Sequence, residues 1–250
     1  MDLVLFAVWC FLVALAGGLV GLVLGNLRLP ATLVVASSVA AGGGANLAIS
    51  AISALTAASV HARAGRINWR LVAWMAPPSI VGAVAGGYLA GAIPEGLLLG
   101  IIAAVLVQSG IELLRRGVPS KAASADGRGE LDLRAAVLSG AVIGLLGGLV
   151  GLILGSLRMP ALLKWVGEGP RMAVGTNVSV GVLVGVAGAL AHLPNAAPDV
   201  DAIIVGGAAS VPGALLGSRL TGRLSDEQLV RAIGVVLLVA AAGCIVQAVT

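Results

Sequence analysis

The sequence predicts an all-α polytopic membrane protein made of two inverted repeats. Two observations carry the membrane part. Apolar residues make up 59% of the 250 and charged residues only 10%, against about 25% charged in a soluble domain. A soluble fold of this size would lack the polar surface to cover itself. Apolar runs are long and unbroken, as over Leu3–Leu24, and a membrane helix needs about 20 such residues. The third observation is internal duplication. Gly17–Pro30 reads GGLVGLVLGNLRLP and Gly147–Pro160 reads GGLVGLILGSLRMP, identical at eleven of fourteen positions. Gly44-Ala45-Asn46 matches Gly175-Thr176-Asn177 one residue further out of step, and Ser79, Gly82 and Gly86 match Ser210, Gly213 and Gly217.

These features exclude an ordinary cytosolic enzyme, a disordered chain and a disulfide-rich module. A β-barrel would show alternating segments of about ten residues, and these runs do not alternate. The glycines follow no collagen period; they suit close helix approach in lipid. The repeat divides the chain into halves, 1–118 and 131–250, joined by a polar linker at 119–130 rich in turn formers and charge.

Each half holds four apolar segments: about 3–25, 31–60, 71–92 and 97–114, then 133–155, 161–191, 202–218 and 229–248. The first is not read as a removed leader. It lacks a basic start, Asp2 being its only early charge, and it has a copy in mid-chain. Lys and Arg in short loops mark the cytoplasmic side. Eight simple spans would split the 15 positive residues eight to seven and choose no orientation. An odd number of crossings per half removes the conflict. If the first segment of each half enters the membrane, breaks at GNLRLP or GSLRMP and returns, each half has three full crossings plus one re-entrant segment. Thirteen positives then share one side, and Arg28 and Arg158 sit in the breaks. A rival puts the re-entrant turn at Gly42-Gly43-Gly44 and splits the charges twelve to three. Both invert the halves and put the termini outside, a recurring transporter plan.

The breaks carry the chemistry. Glycine frees the backbone and proline removes a donor. Non-helical backbone at membrane depth must be buried in protein or line a cavity. An arginine there needs a partner, and no carboxylate lies nearby in sequence in either half. An anionic ligand is one candidate; the other reading puts both arginines at the headgroups. Asn46, Thr176 and Asn177 are small neutral donors suited either to an oxyanion or to interhelical packing.

Other features are structural in this reading. His61 and His192 fall at opposite faces and cannot share an ion. Trp69, Trp74 and Trp165 lie near basic loops as interfacial anchors. The glycine pairs 82/86 and 213/217 pack helices, and Cys10 and Cys244 are small apolar fillers. There is no Ser–His–Asp set, CxxC or P-loop, so no enzyme, metal or cofactor is expected. The positive charge belongs to inner-leaflet loops and does not imply nucleic acid.

The duplicated four-segment plan resembles the TauE/SafE family of membrane permeases, the sulfite exporters. The resemblance rests on the glycine-rich first helix ending in a proline, on Gly44-Ala45-Asn46 and Gly175-Thr176-Asn177, and on Asn68-Trp69 opening a later helix. Where members often carry a longer glycine cluster, this chain has Leu24–Arg28 and Leu154–Arg158. The resemblance implies a multi-pass permease of the bacterial inner membrane exporting sulfite, sulfonates or other small organic anions. Asn26, Arg28, Asn46, Ser156, Arg158, Thr176 and Asn177 would line its central site. A carboxylate permease and a non-transporting scaffold stay open, as does homo-oligomerisation.

Overall fold

The computed structural model describes residues 2–89, 94–119, 122, 131–150, 152–192 and 199–249, and among them every regular element is helical. The first half comprises α1 (Leu3–Val20), α2 (Gly25–Val35), α3 (Val39–Arg63), α4 (Trp69–Tyr88) and α5 (Glu95–Arg116). The second comprises α6 (Leu133–Val150), α7 (Gly155–Ala161) running into a π-turn at Leu162–Val166, α8 (Pro170–His192), α9 (Val200–Thr221) and α10 (Asp226–Val249). Eight of these helices are long and apolar enough to cross a membrane. At 1.5 Å per residue, even 18 residues reach about 27 Å.

The ends are set by local chemistry. Side chains of Asp2, Ser38, Asn68 and Asp199 accept backbone N–H groups at the starts of α1, α3, α4 and α9. Gly21, with φ +70°, closes α1 in the left-handed conformation that only glycine adopts without strain.

The break therefore lies a turn earlier than GNLRLP. Residues 22–24 are non-helical, and Gly25–Pro30 itself opens α2. Pro30 stands inside α2, past its first turn, and leaves the carbonyl of Asn26 without a helical donor. The apolar stretch 31–60 likewise splits at Ser37-Ser38 into the end of α2 and the start of α3. Each half thus has four long helices, the first followed by a break and a short returning arm.

The halves are interlocked. α1 packs on α9 and α4 on α6, the first helix of each half against the third helix of the other. A Cβ on Gly82 or Gly86 would overlap the carbonyl oxygens of Ala141 or Leu145 of α6. On Gly213 or Gly217 it would overlap those of Phe11 or Leu15 of α1. Residue numbers rise together in both pairs, so each pair is parallel. The corresponding helices α3 and α8 run oppositely, with Gly185 on Ala51 and Gly175 on His61. So do α5 and α10, with Gly96 on Ala248 and Gly110 on Gly234. The fourth helices share little sequence, yet buried residues 98, 99, 102, 106, 109 and 113 recur at 229, 230, 233, 237, 240 and 244.

The returning arms bring the chain back to the end it left: Asp132 N–H reaches Val166 O across α6 and the arm at 3.1 Å. Basic residues collect at that end. Arg66 donates to Ser218 O (3.2 Å), Arg171 to Leu224 O (2.7 Å), and Lys164 pairs with Glu112 at 2.6 Å. Lys121 and Arg128 lie outside the described residues. The opposite end joins Ser37 N–H to the Asp199 carboxylate at 3.1 Å. Trp69, Trp74 and Trp165 are exposed, and Cys10 and Cys244 are buried and free. His61, expected at an interface, is wholly buried beneath Gly175; the His192 side chain lies outside the described residues.

Candidate functional site

The two breaks meet in the protein interior. A Cβ on Gly155 would lie 3.1 Å from the backbone nitrogen of Val23, so the non-helical arm of one half crosses the start of α7 in the other. Asn177 of α8 stitches the crossing, its Nδ2 donating to Gly155 O (2.9 Å) and to Gly21 O of the other half (2.7 Å). Asn46 of α3 does the same within its own half, donating to Gly25 O at 3.1 Å.

Each asparagine also holds an arginine. Arg28 Nε donates to Asn46 Oδ1 at 3.0 Å, and its Nη2 donates to Asn46 O at 3.0 Å and to Ser50 Oγ. Arg158 Nη1 donates to Asn177 Oδ1 at 3.2 Å, while its buried Nε has no partner. The arginines are 2% and 1% exposed, so both are enclosed by protein. Among the described residues neither forms an ion pair. Burying an unpaired guanidinium costs several kcal/mol, and here only neutral amide, carbonyl and hydroxyl oxygens offset it.

Arg28 borders a cavity of about 10 Å³ shared with Ser50, Ser53 and Gly18, room for one water molecule. Any oxyanion is larger than this cavity.

The seven residues expected from the sequence separate. Arg28, Asn46, Arg158 and Asn177 converge on the crossing. Asn26 turns away to α10, donating to Ala240 O at 3.2 Å. Thr176 accepts the backbone N–H of Asn68 at 3.0 Å at the start of α4. Ser156 is buried on α7. Ser50 was not among the expected residues, although it stands one helical turn after Asn46 on the same face. Its counterpart is Gly181, which is why Arg158 lacks the matching bond.

Gln247 is a second polar residue not singled out from the sequence. Pro30 has no N–H, so the Asn26 carbonyl loses its helical donor; Gln247 Nε2 supplies one at 2.6 Å. Gln247→Leu strands that carbonyl and is expected to cost about 1–3 kcal/mol, read as a lower midpoint in thermal unfolding in detergent.

At the basic end Glu168 is 4% exposed and accepts from Asn68 Nδ2 at 3.1 Å. Burial raises its pKa above the usual carboxylate range, partly offset by that bond. A carboxyl raised on folding holds its proton more tightly in the native state, so its contribution falls as pH rises from the unfolded to the folded pKa. Glu168→Gln keeps the acceptor and removes the charge. The variant should gain stability at pH 7 to 8 and lose that gain on acidification, which unfolding across pH 4.5 to 8 would measure.

No curated protein and no solved structure matches the chain. The sequence model of the family described as Sulfite exporter TauE/SafE matches residues 6–243. With the match running nearly end to end over an interlocked bundle of membrane-length helices, the chain belongs to the TauE/SafE sulfite exporter family of multi-pass membrane proteins.

Proposed function

We propose that the protein is a bacterial inner-membrane permease exporting a small sulfur-containing or organic anion, such as sulfite or a sulfonate, by alternating access. The observation that carries this is the pair of buried arginines, one from each half, held at the crossing by neutral amides and hydroxyls. Arg28 and Arg158 supply charge, Asn46, Asn177 and Ser156 supply uncharged hydrogen-bonding groups, and Asn26 and Thr176 hold the surrounding elements. An inverted repeat in the bilayer is supported by the antiparallel courses of α3 against α8 and α5 against α10. It puts the basic end in the cytoplasm under the positive-inside rule.

Two inverted copies about one site give two nearly equivalent tilts, one open to each side. The water-sized cavity suits a closed state between them. An interior-negative potential favours anion exit by about 2.3 kcal/mol per charge per 100 mV, so export needs no coupling ion.

Counterflow in liposomes tests this. Protein-dependent exchange of sulfite or sulfoacetate, with acetate exchanging poorly, is the expected result. Exchange of acetate alone moves the substrate to carboxylates, and exchange of none leaves a scaffold.

A further inference from the structure

The duplicated halves differ on their lipid-facing sides. In the first half Trp9 of α1 lies over the broken arm and its Nε1 donates to Leu27 O at 3.0 Å. At the repeat offset of 130, its counterpart on α6 is Ser139 and that of Leu27 is Leu157. Ser139 spends its hydroxyl on its own helix, donating to Ala136 O at 3.2 Å. Where the indole would lie there is an apolar groove of about 490 Å³ between α5 and α6. Ile101, Val105, Leu138 and Val142 wall it, Leu157 lies buried at its floor, and Trp165 stands at its rim. Cavities of about 300–1,000 Å³ take small-molecule ligands.

The rim carries more positive than negative charge, Arg134, Arg116 and Lys164 against Glu112 and the Asp132 that accepts the N–H of the groove residue Ala135 at 2.9 Å. Arg134 precedes the groove residue Ala135 and is exposed. Arg116 is exposed too, 3.8 Å from the Glu112 that also pairs with Lys164, next to Trp165. The groove thus joins an apolar trough at hydrocarbon depth to basic side chains at the headgroup layer, a combination complementary to an anionic lipid.

We propose that the groove between α5 and α6 is a binding site for one anionic phospholipid, an acyl chain lying over Leu157 and the phosphate facing Arg134 and Arg116. The chain takes the place that Trp9 fills in the first half. It packs against the short helix carrying Arg158, whose half has Ser156 where the first half has the tethered Asn26.

Native mass spectrometry of the full chain, using dioleoyl phosphatidylglycerol and dioleoyl phosphatidylcholine as probes, tests the site without any transport measurement. One phosphatidylglycerol is expected per protein, preferred at least about fivefold over phosphatidylcholine. Ser139→Trp, which copies the first half, should lower its retention about tenfold by excluding the chain from the groove. Ile101→Trp fills the same space from a lipid-exposed position, where misfolding is not at issue, and should do likewise. Arg134→Gln with Arg116→Gln should erase the preference while phosphatidylcholine binding stays as in wild type. Equal binding of the two lipids, undiminished retention in Ile101→Trp, or a lipid-free dimer would each overturn the proposal.

Discussion

Replacing Arg28 and Arg158 together with glutamine should abolish sulfite counterflow while the protein stays folded. A hydrogen bond to a charged group contributes about 1.5–3 kcal/mol, so losing one to the anion from each half removes about 3–6 kcal/mol. At 1.4 kcal/mol per tenfold that is on the order of 10²–10⁴ in affinity. Folding should survive because the change also removes two unpaired buried charges, whose desolvation opposes the folded state. Glutamine can still donate to Asn46 and Asn177. The single variants should differ in stability. Arg28 is tied to Asn46 twice and to Ser50, whereas Arg158 has one bond and an unpartnered Nε. Arg28→Gln should therefore lower the unfolding midpoint more than Arg158→Gln. Arg28→Lys keeps the charge but loses the planar fork, and should recover part of the counterflow. Unchanged sulfite exchange in the folded double variant would remove the arginines from the site.

Much of this arrangement is legible in the sequence because the chain states it twice. The paired motifs at Gly17–Pro30 and Gly147–Pro160, read with the one-sided distribution of positive charge, give a returning first segment in each half. They single out Arg28 and Arg158 but leave them either in the interior or at the headgroups. The exact break is less legible. A proline draws attention to Gly25–Pro30, but the helix ends at Gly21, where a left-handed backbone and the close approach of Val174 from the other half both require glycine. Gln247 escapes notice as a lone polar residue in an apolar run and Ser50 as one of several small hydroxyls on α3; each is explained only by an atom that the fold brings to it. The kinship of α5 and α10 is invisible as sequence and clear as burial, since packing constrains which face is apolar and not which apolar residue stands there. Asn26 and Thr176 show the reverse case, where a suitable residue in a suitable motif spends its hydrogen bonds on neighbouring helices.

The interlocking of the halves carries the second large expectation, a change of sign between adjacent glycines. At Gly86 a Cβ would overlap Leu145 O and lie 2.8 Å from Leu149 N of α6. Both are backbone atoms that cannot swing aside, so α4 and α6 must separate along their length. Gly86→Ala should cost about 1–3 kcal/mol and Gly86→Leu more, as overpacking of a fixed contact does. One residue on, a Cβ on Gly87 meets nothing within 4 Å. Gly87→Ala therefore removes only the conformational freedom of glycine and should stabilise by about 0.5–1 kcal/mol. The other parallel pair repeats the first: a Cβ on Gly217 would overlap Leu15 O and lie 2.8 Å from Leu19 N of α1. Gly217→Ala should match Gly86→Ala closely, and the two should add in the double variant, because separate interfaces with no shared partners are energetically independent. Thermal unfolding in one detergent measures all five variants. A harmless Gly86→Ala beside a costly Gly217→Ala would mean that the two crossings are not equivalent, and the two-fold exchange of first and third helices would fall with them.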